Sequence, residues 1–379
     1  MFINIKMGLL HSVSLFDYKS TGRSPTGGGV TERSSKNWKN ITNYITTSRS
    51  KNYKLFSSMN IPQNSICTPS NDNIVGDSGS ILKIKVKDRI GSESSYAVVY
   101  KISLKIFKNK KQTKVVAASK IIPKLSSDSI DIINNEINIA KILSNAVRKK
   151  ETKFFPLVYK VCECNNTIYP NINIYNKPEI QDYVFEKYLT EDNKQSVRKY
   201  MVENNITNDS TISKLIISKL RKQNTTINIP STILISELAW GDLRMYIKNK
   251  STATIPLLTD QILIEIIKDI IRAIIVMQKY NIIHNDLHTG NVLMLFRKIN
   301  TSFKIIPLVH DFDKSIIVNQ LEDTDYCVDL LNILRVILYE INHTKPMFKD
   351  SIKYIKSLQS LISLRSDKQN IIVECLTAF

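Results

Sequence analysis

An α+β fold, with a small antiparallel sheet first and a mainly helical part after it, follows from three observations. Strand-like runs occur in close succession from Ile81, a helix-period run comes directly after them, and the longest amphipathic stripe of the chain lies at Gln261 to Tyr280. The first 80 residues differ in texture. They are rich in Ser, Thr, Asn, Gly and Lys, with Ser24-Pro25-Thr26-Gly27-Gly28-Gly29 among them, and read as a flexible arm.

From Ile81 to Val86 apolar and basic residues alternate, Tyr96 to Ile106 is again strand-like, and Val115, Val116 and Ala117 make a third run. Ile130, Ile133, Ile137, Ala140 and Ile142 then recur at helical spacing, with Glu136 among them. Strands are expected at Phe155 to Val161 and Ile233 to Leu238. The polar stretch between them, about residues 171–230, reads as an insertion with a helix at Ile212 to Leu220 and too few apolar residues for its own core. In the helix of residues 261–280, Ile266, Ile267, Ile270, Ile271, Ile274 and Ile275 form one stripe. Glu265, Lys268, Asp269 and Arg272 lie opposite, which makes it a packing helix and not a membrane span. Another helical run starts at Asp329. The divisions expected are therefore 1–80, 81–240 with its insertion, and 241–379.

Bulk properties narrow the function classes. No stretch reaches 18 uncharged apolar residues, and the start lacks a secretory pattern, so no transmembrane or exported protein is expected. The five cysteines match neither a zinc site nor a disulfide framework. A reducing, cytoplasmic setting fits them, with Cys162 and Cys164 sharing a strand face but offering a soft metal only two ligands. A start at Met7 would expose Gly8 with Ser12 in the N-myristoylation pattern, although the chain itself starts at Met1. The net charge of +19 favours anionic partners, whether acidic protein, anionic lipid or nucleic acid. Its lysines and arginines are scattered with few interleaved aromatics, as on a solvated basic surface.

The chemistry concentrates in His284-Asn285-Asp286-Leu287-His288-Thr289-Gly290-Asn291 and, soon after, His310-Asp311-Phe312-Asp313. An acid and an amide stand five positions apart, with a second acid behind them. One carboxylate can accept a proton from an attacking hydroxyl. The amide and the second carboxylate are hard oxygen donors suited to magnesium on a nucleotide's phosphates. Three of the five histidines, at 284, 288 and 310, fall in the same two segments. His284, beside the apolar Ile282-Ile283, reads as a packing residue.

Over about residues 81–379 this order of strands, helix, strands, long helix and two acidic loops resembles the protein-kinase-like superfamily, in the manner of haspin-type and large-DNA-virus kinases. The resemblance implies a bilobal protein-kinase-like fold with a small antiparallel-sheet N-lobe and a shortened helical C-lobe. It implies ATP and Mg2+ as nucleotide and metal, with Asp286 as base and Asn291 and Asp311 as metal ligands. Lys120, in Ala118-Ser119-Lys120, matches the phosphate-holding strand lysine, and Glu136, sixteen residues on, matches its partner. Gly91 and Val99 match the loop and apolar cover over the nucleotide, Leu293 the floor, and backbone groups of Glu237 and Ala239 the adenine edge. The loop is weak, because Ser92, Ser94 and Ala97 occupy its glycine positions.

Four departures qualify the likeness. Asn285 replaces an arginine, and His288 stands where a γ-phosphate lysine is usual, as in aminoglycoside and choline phosphotransferases. A charged His288 would need neighbouring phosphate or carboxylate, because its ordinary pKa is about 6.5. Asp313 replaces the glycine of the DFG loop, which restricts its backbone. Asp311 lies only eighteen positions before Asp329 with no Ala-Pro-Glu anchor between, so the activation segment is short. The leading expectation is transfer of the γ-phosphate of ATP to Ser/Thr hydroxyls of a protein substrate. A small-molecule phosphotransferase and a catalytically inactive scaffold are the alternatives. Strong Ile, Asn and Lys usage implies AT-rich coding, in keeping with a viral kinase of the host cytoplasm or virion.

Overall fold

The computed structural model describes residues 49–56, 66–67, 74–75, 81–90, 97–108, 111–165, 178–223, 229–248, 255–299, 302–321, 325–344, 348–364 and 368–377, all of them within the compact unit Ile45–Phe379. The alternating runs become strands β1 (Ile74–Val75), β2 (Ile81–Ile90), β3 (Val98–Lys108) and β4 (Lys111–Pro123). Strands β5 (Val158–Cys164) and β6 (Ser231–Glu237) complete a six-stranded antiparallel sheet in the order β1-β2-β3-β4-β6-β5. Alternation selects its buried face, which includes Ile102, Leu104, Val115, Ala117 and Ile121.

Helix α1 (Ser127–Arg148) enters through a capping box. The Ser126 hydroxyl accepts from Ser129 N, and the Ser129 hydroxyl accepts from Ser126 N, so the helix start is fixed ten residues before Glu136. Ile133 and Ile137 of α1 pack with Ala97 and Ile122 of the sheet. The insertion is more structured than its polarity suggests. It carries α2 (Pro178–Tyr188), α3 (Glu191–Glu203) and α4 (Asp209–Lys222), and of these only α4 is anticipated in the sequence. Ile180, Val184, Val197, Ile216 and Leu220 give them a small common core.

Strand β7 (Gly241–Asp242) leads into the short α5 (Leu243–Lys248), and the apolar stripe becomes α6 (Asp260–Lys279). Thr259 caps α6 by accepting from Ile262 N. Asn281, at a φ of 54°, turns the chain out of it into β8 (Ile282–Ile283). Leu263, Ile266, Ile267, Ile270, Ile271 and Ile274 are all buried. The hairpin β9 (Val292–Ile299) and β10 (Ser302–Val309) pairs with β7, and β11 (Ile316–Ile317) pairs with β8. Helices α7 (Asp325–Thr344), α8 (Lys349–Leu364) and α9 (Lys368–Thr377) close the chain against α6. No helix among the described residues is long and apolar enough to cross a membrane.

Two further expectations are overturned. Residues 49–56 and 66–67, read as part of a flexible arm, are helical, with Arg49, Phe56 and Ile66 buried to within 2%. Phe56 stacks on Tyr159 at 5.5 Å. A segment this polar folds because its few large side chains find one receptive surface, the back of β5 and β6, and local composition does not report that. The cysteines also differ from expectation: Cys67 and Cys164 form a disulfide across 97 residues of chain. Cys164 is therefore no metal ligand, and Cys162 is a buried thiol whose pKa burial pushes up to about 11.

Candidate active site

Lys120 reaches the site from β4, where its cross-strand neighbours are Val99 on β3 and Leu234 on β6. Its Nζ lies 2.5 Å from Glu136 Oε1 on α1 and 2.6 Å from Asp311 Oδ1 beyond β10. The ammonium thus gathers one acid 16 and another 191 positions away in the chain. Burial opposes the charge on Lys120, but the two facing carboxylates outweigh it and hold the ammonium protonated well above the usual lysine range. Asp311 is half-buried, and there Lys120 wins, keeping the carboxyl below its ordinary range and ionised. Glu136 goes the other way. Burial beside a second carboxylate lifts it, as expected when one lysine serves two acids.

The loop after β8 is built around Asp286. Asn291, buried on a single 3-10 turn (Thr289–Asn291), donates Nδ2–H to the Asp286 carbonyl oxygen at 2.9 Å, which leaves its amide oxygen directed to other use. The Asp329 carboxylate on α7 accepts from the backbone of His284 (2.8 Å) and Asn285 (3.0 Å). Glu340, one α-helical stretch further on, accepts from the Thr289 hydroxyl at 2.8 Å and from Arg244 Nε at 3.0 Å. Asn285 and Asp311 both adopt left-handed backbone, φ 60° and 66°, conformations that non-glycine residues hold only when their surroundings impose them.

The histidine cluster proves to be a set of braces. His284, fully buried, donates from Nε2 to the His310 carbonyl at 3.0 Å and packs on Phe312. His310 donates to the Gly290 carbonyl at 3.3 Å, and its own N–H goes to Asn291 O. Burial drives the His310 pKa down to about 4, so this ring is neutral. His288 caps the 3-10 turn, its Nδ1 accepting from Gly290 N at 3.0 Å, and burial lowers its pKa as well. A ring nitrogen that accepts a hydrogen bond carries no proton, so His288 does not present here the charge that a phosphate contact would require.

Several side chains outside the predicted set shape the site. Lys314 places Nζ 2.9 Å from Asp286 Oδ2. Asp313 has a buried Oδ1 without a hydrogen-bond partner among the described residues, and burial together with Asp311 lifts its carboxyl. Behind β6, Arg49 clasps Glu237 with contacts of 2.7 to 3.0 Å and spends its other donors on the Lys153 and Phe155 carbonyls. The Glu237 backbone N–H goes to Leu157 O at 2.9 Å, so only its carbonyl is left for a base edge. Ala239, Val99 and Leu293 are each half-buried, Val99 opposite Lys120 on β4 and Leu293 opposite Asp242 on β7. Gly91 lies outside the described residues.

The donor set around Asp311 and Asn291 suits magnesium: one ionised carboxylate and one amide oxygen, both hard. Among the described residues no three His, Cys, Asp or Glu side chains cluster as a cation cage. Magnesium held partly by a substrate's phosphates needs no such cage. No protein-family model matches this chain, and a comparison with curated proteins found no match.

Proposed function

We propose that this chain is an ATP- and magnesium-dependent protein kinase of bilobal, protein-kinase-like fold that transfers the γ-phosphate to Ser/Thr hydroxyls. The observation that carries the reading is the ammonium of Lys120 shared by Glu136 and Asp311, brought together from a strand, a helix and a loop. Isolated lysines seldom receive two carboxylates at hydrogen-bond distance. A structural pair would need only one of them, and the second acid leaves a local excess of negative charge that invites a divalent cation.

The geometry is compatible with these roles. Lys120 uses two of its three ammonium hydrogens on the carboxylates and offers the third to a nucleotide phosphate. Asn291 and Asp311 would hold magnesium, which when bound neutralises phosphate charge as the phosphoryl group leaves. Asp286 is half-exposed on a braced loop, where it can orient an incoming hydroxyl and accept its proton. Val99, Leu293 and Ala239 would border the base. Catalysis would then be mostly positioning and charge stabilisation by residues already fixed in place.

The test is direct. Purified full-length protein is incubated with labelled ATP and magnesium, a basic or an acidic protein substrate, and in separate reactions choline and aminoglycosides. Label transferred to protein, and lost in Asp311→Ala, supports the reading. Label on the small molecules alone would make the chain a small-molecule phosphotransferase. Nucleotide binding without any transfer would make it a scaffold.

A further inference from the structure

We propose that Lys314 supplies to the transferred phosphoryl group the cation that position 288 of the catalytic loop lacks. The inference rests on the phosphotransfer reading above and names a residue that reading leaves out. Lys314 Nζ stands 2.9 Å from Asp286 Oδ2, the carboxylate that faces the acceptor hydroxyl.

Its backbone is held from several sides. The Asn285 side-chain amide donates to the Lys314 carbonyl at 3.4 Å. The next residue, Ser315, is buried. Its hydroxyl donates to His284 O at 3.1 Å, and its carbonyl accepts from Asn135 Nδ2 of α1 at 2.6 Å. Two residues later β11 pairs with β8, Ile316 opposite Ile283 and Ile317 opposite Ile282. The Cα of Lys314 is thus anchored to the loop that carries Asp286 and to the helix that carries Glu136. The side chain itself is 61% exposed, free to swing its ammonium a few ångströms from Asp286 toward an adjoining group.

Stability alone does not account for this arrangement. An exposed pair of this kind contributes about 0–1 kcal/mol, yet the backbone beneath it is braced by side-chain hydrogen bonds, the one from Ser315 to His284 O buried. The chemistry does supply a need. In the transfer, the acceptor oxygen forms a bond to the γ-phosphorus and its proton passes to Asp286. The bond from that phosphorus to the β,γ-bridging oxygen breaks, its electron pair leaving with ADP. Negative charge is spread over three phosphoryl oxygens meanwhile, and a fixed donor there is worth on the order of a hundredfold in rate. Lys120 has a single hydrogen left after its two carboxylates, for one nucleotide phosphate, and the His288 ring accepts a hydrogen bond from Gly290. Lys314 is the cation already at Asp286. It would donate a hydrogen bond to a phosphoryl oxygen without itself changing protonation, and without nucleotide it covers the carboxylate instead.

The experiment compares the full chain with Lys314→Met and Lys314→Arg, reading phosphotransfer to protein and, separately, the magnesium-supported binding of ADP and of the imido analogue of ATP by calorimetry. Lys314→Met should lower kcat about a hundredfold. It should weaken the imido analogue and leave ADP binding unchanged, because only the former carries the terminal phosphate. Lys314→Arg should stay within about tenfold of the parent. The proposal is overturned if Lys314→Met turns over within about twofold of the parent. It is equally overturned if both nucleotides weaken together, or if the arginine variant is as impaired as the methionine one. Should the parent transfer no phosphate at all, the kinase reading fails by itself, and the ADP-versus-analogue comparison still decides Lys314.

Discussion

Two buried clusters of charge lie on opposite sides of β4 and β6, and they are built on opposite principles. Behind the sheet, Arg49 and Glu237 are 2% and 3% exposed, a second cation, Arg297, stands 3.8 Å from the same carboxylate, and the remaining donors of the Arg49 guanidinium end on the Lys153 and Phe155 carbonyls. In front, Lys120 faces both Glu136 and Asp311, Asp313 adds a further unpartnered oxygen, and Asp311 is 27% exposed. The first cluster is sealed, its one carboxylate fully matched by cations; the second is open and carries surplus negative charge. Closed ion pairs of the first kind resist change, because removing one partner strands the other in a dry interior. Unbalanced ones of the second kind await a ligand that completes them.

The largest expected effect tests the open cluster. Replacing Asp286 by alanine should lower phosphotransfer about 10²- to 10⁴-fold with the urea unfolding midpoint unchanged, because its side chain makes no buried contact that stability needs. A large drop in stability instead would erase the distinction between the two clusters. Next, Arg49→Met should cost about 3–5 kcal/mol in urea unfolding, and adding Glu237→Gln should recover much of it, since the stranded charge is then gone. If Arg49→Met unfolds at the parental midpoint, the rear cluster is not a clamp.

The disulfide joins the same rear region. Cys164→Ser should cost about 2–4 kcal/mol while transfer continues, as measured by thermal unfolding beside the labelled-ATP assay.

Acid should reach the front cluster first. His310 has a folded pKa of about 4 against about 6.5 unfolded, so between those values the unfolded chain binds the extra proton and stability falls as pH drops. Lowering pH from 7 to 5 should remove about 2 kcal/mol through this residue. Glu136, whose carboxyl is raised, acts in the opposite sense over its own range, so the clean comparison is with His310→Gln, in which the His310 share should vanish. The smallest effect is a control on the sheet rim. Lys124→Ala, which breaks a partly exposed pair with Glu163, should cost under about 1 kcal/mol, against several for the buried arginine.

The front cluster was largely legible in the sequence and the rear one was not. Lys120 and Glu136 sit on a strand and a helix whose periodicity is plain, and Asp286, Asn291 and Asp311 fall at spacings that chemistry itself restricts. Nothing local marks Arg49, which lies 188 residues from Glu237 in a Ser- and Thr-rich stretch. Asp329 and Glu340 escaped notice for a similar reason. Each occupies an ordinary place in a helical pattern, and its partners on the loop after β8 are some 45 to 51 residues away. Lys314 could have been suspected, since it directly follows Asp313, but its pairing with Asp286 depends on how β11 returns to β8.

By itself, then, the sequence determined the α+β alternation of elements and the helix that carries Glu136, and it singled out the candidate site residues, because periodicity and functional-group chemistry act over a few residues. Tertiary structure decided which charges were completed and which were left open. It drew the Arg49 segment and Cys67 onto the sheet, turned three histidines into braces, and set Lys314 against Asp286. Those outcomes depend on desolvation and on contacts between distant segments, and both exist only once the chain has closed on itself.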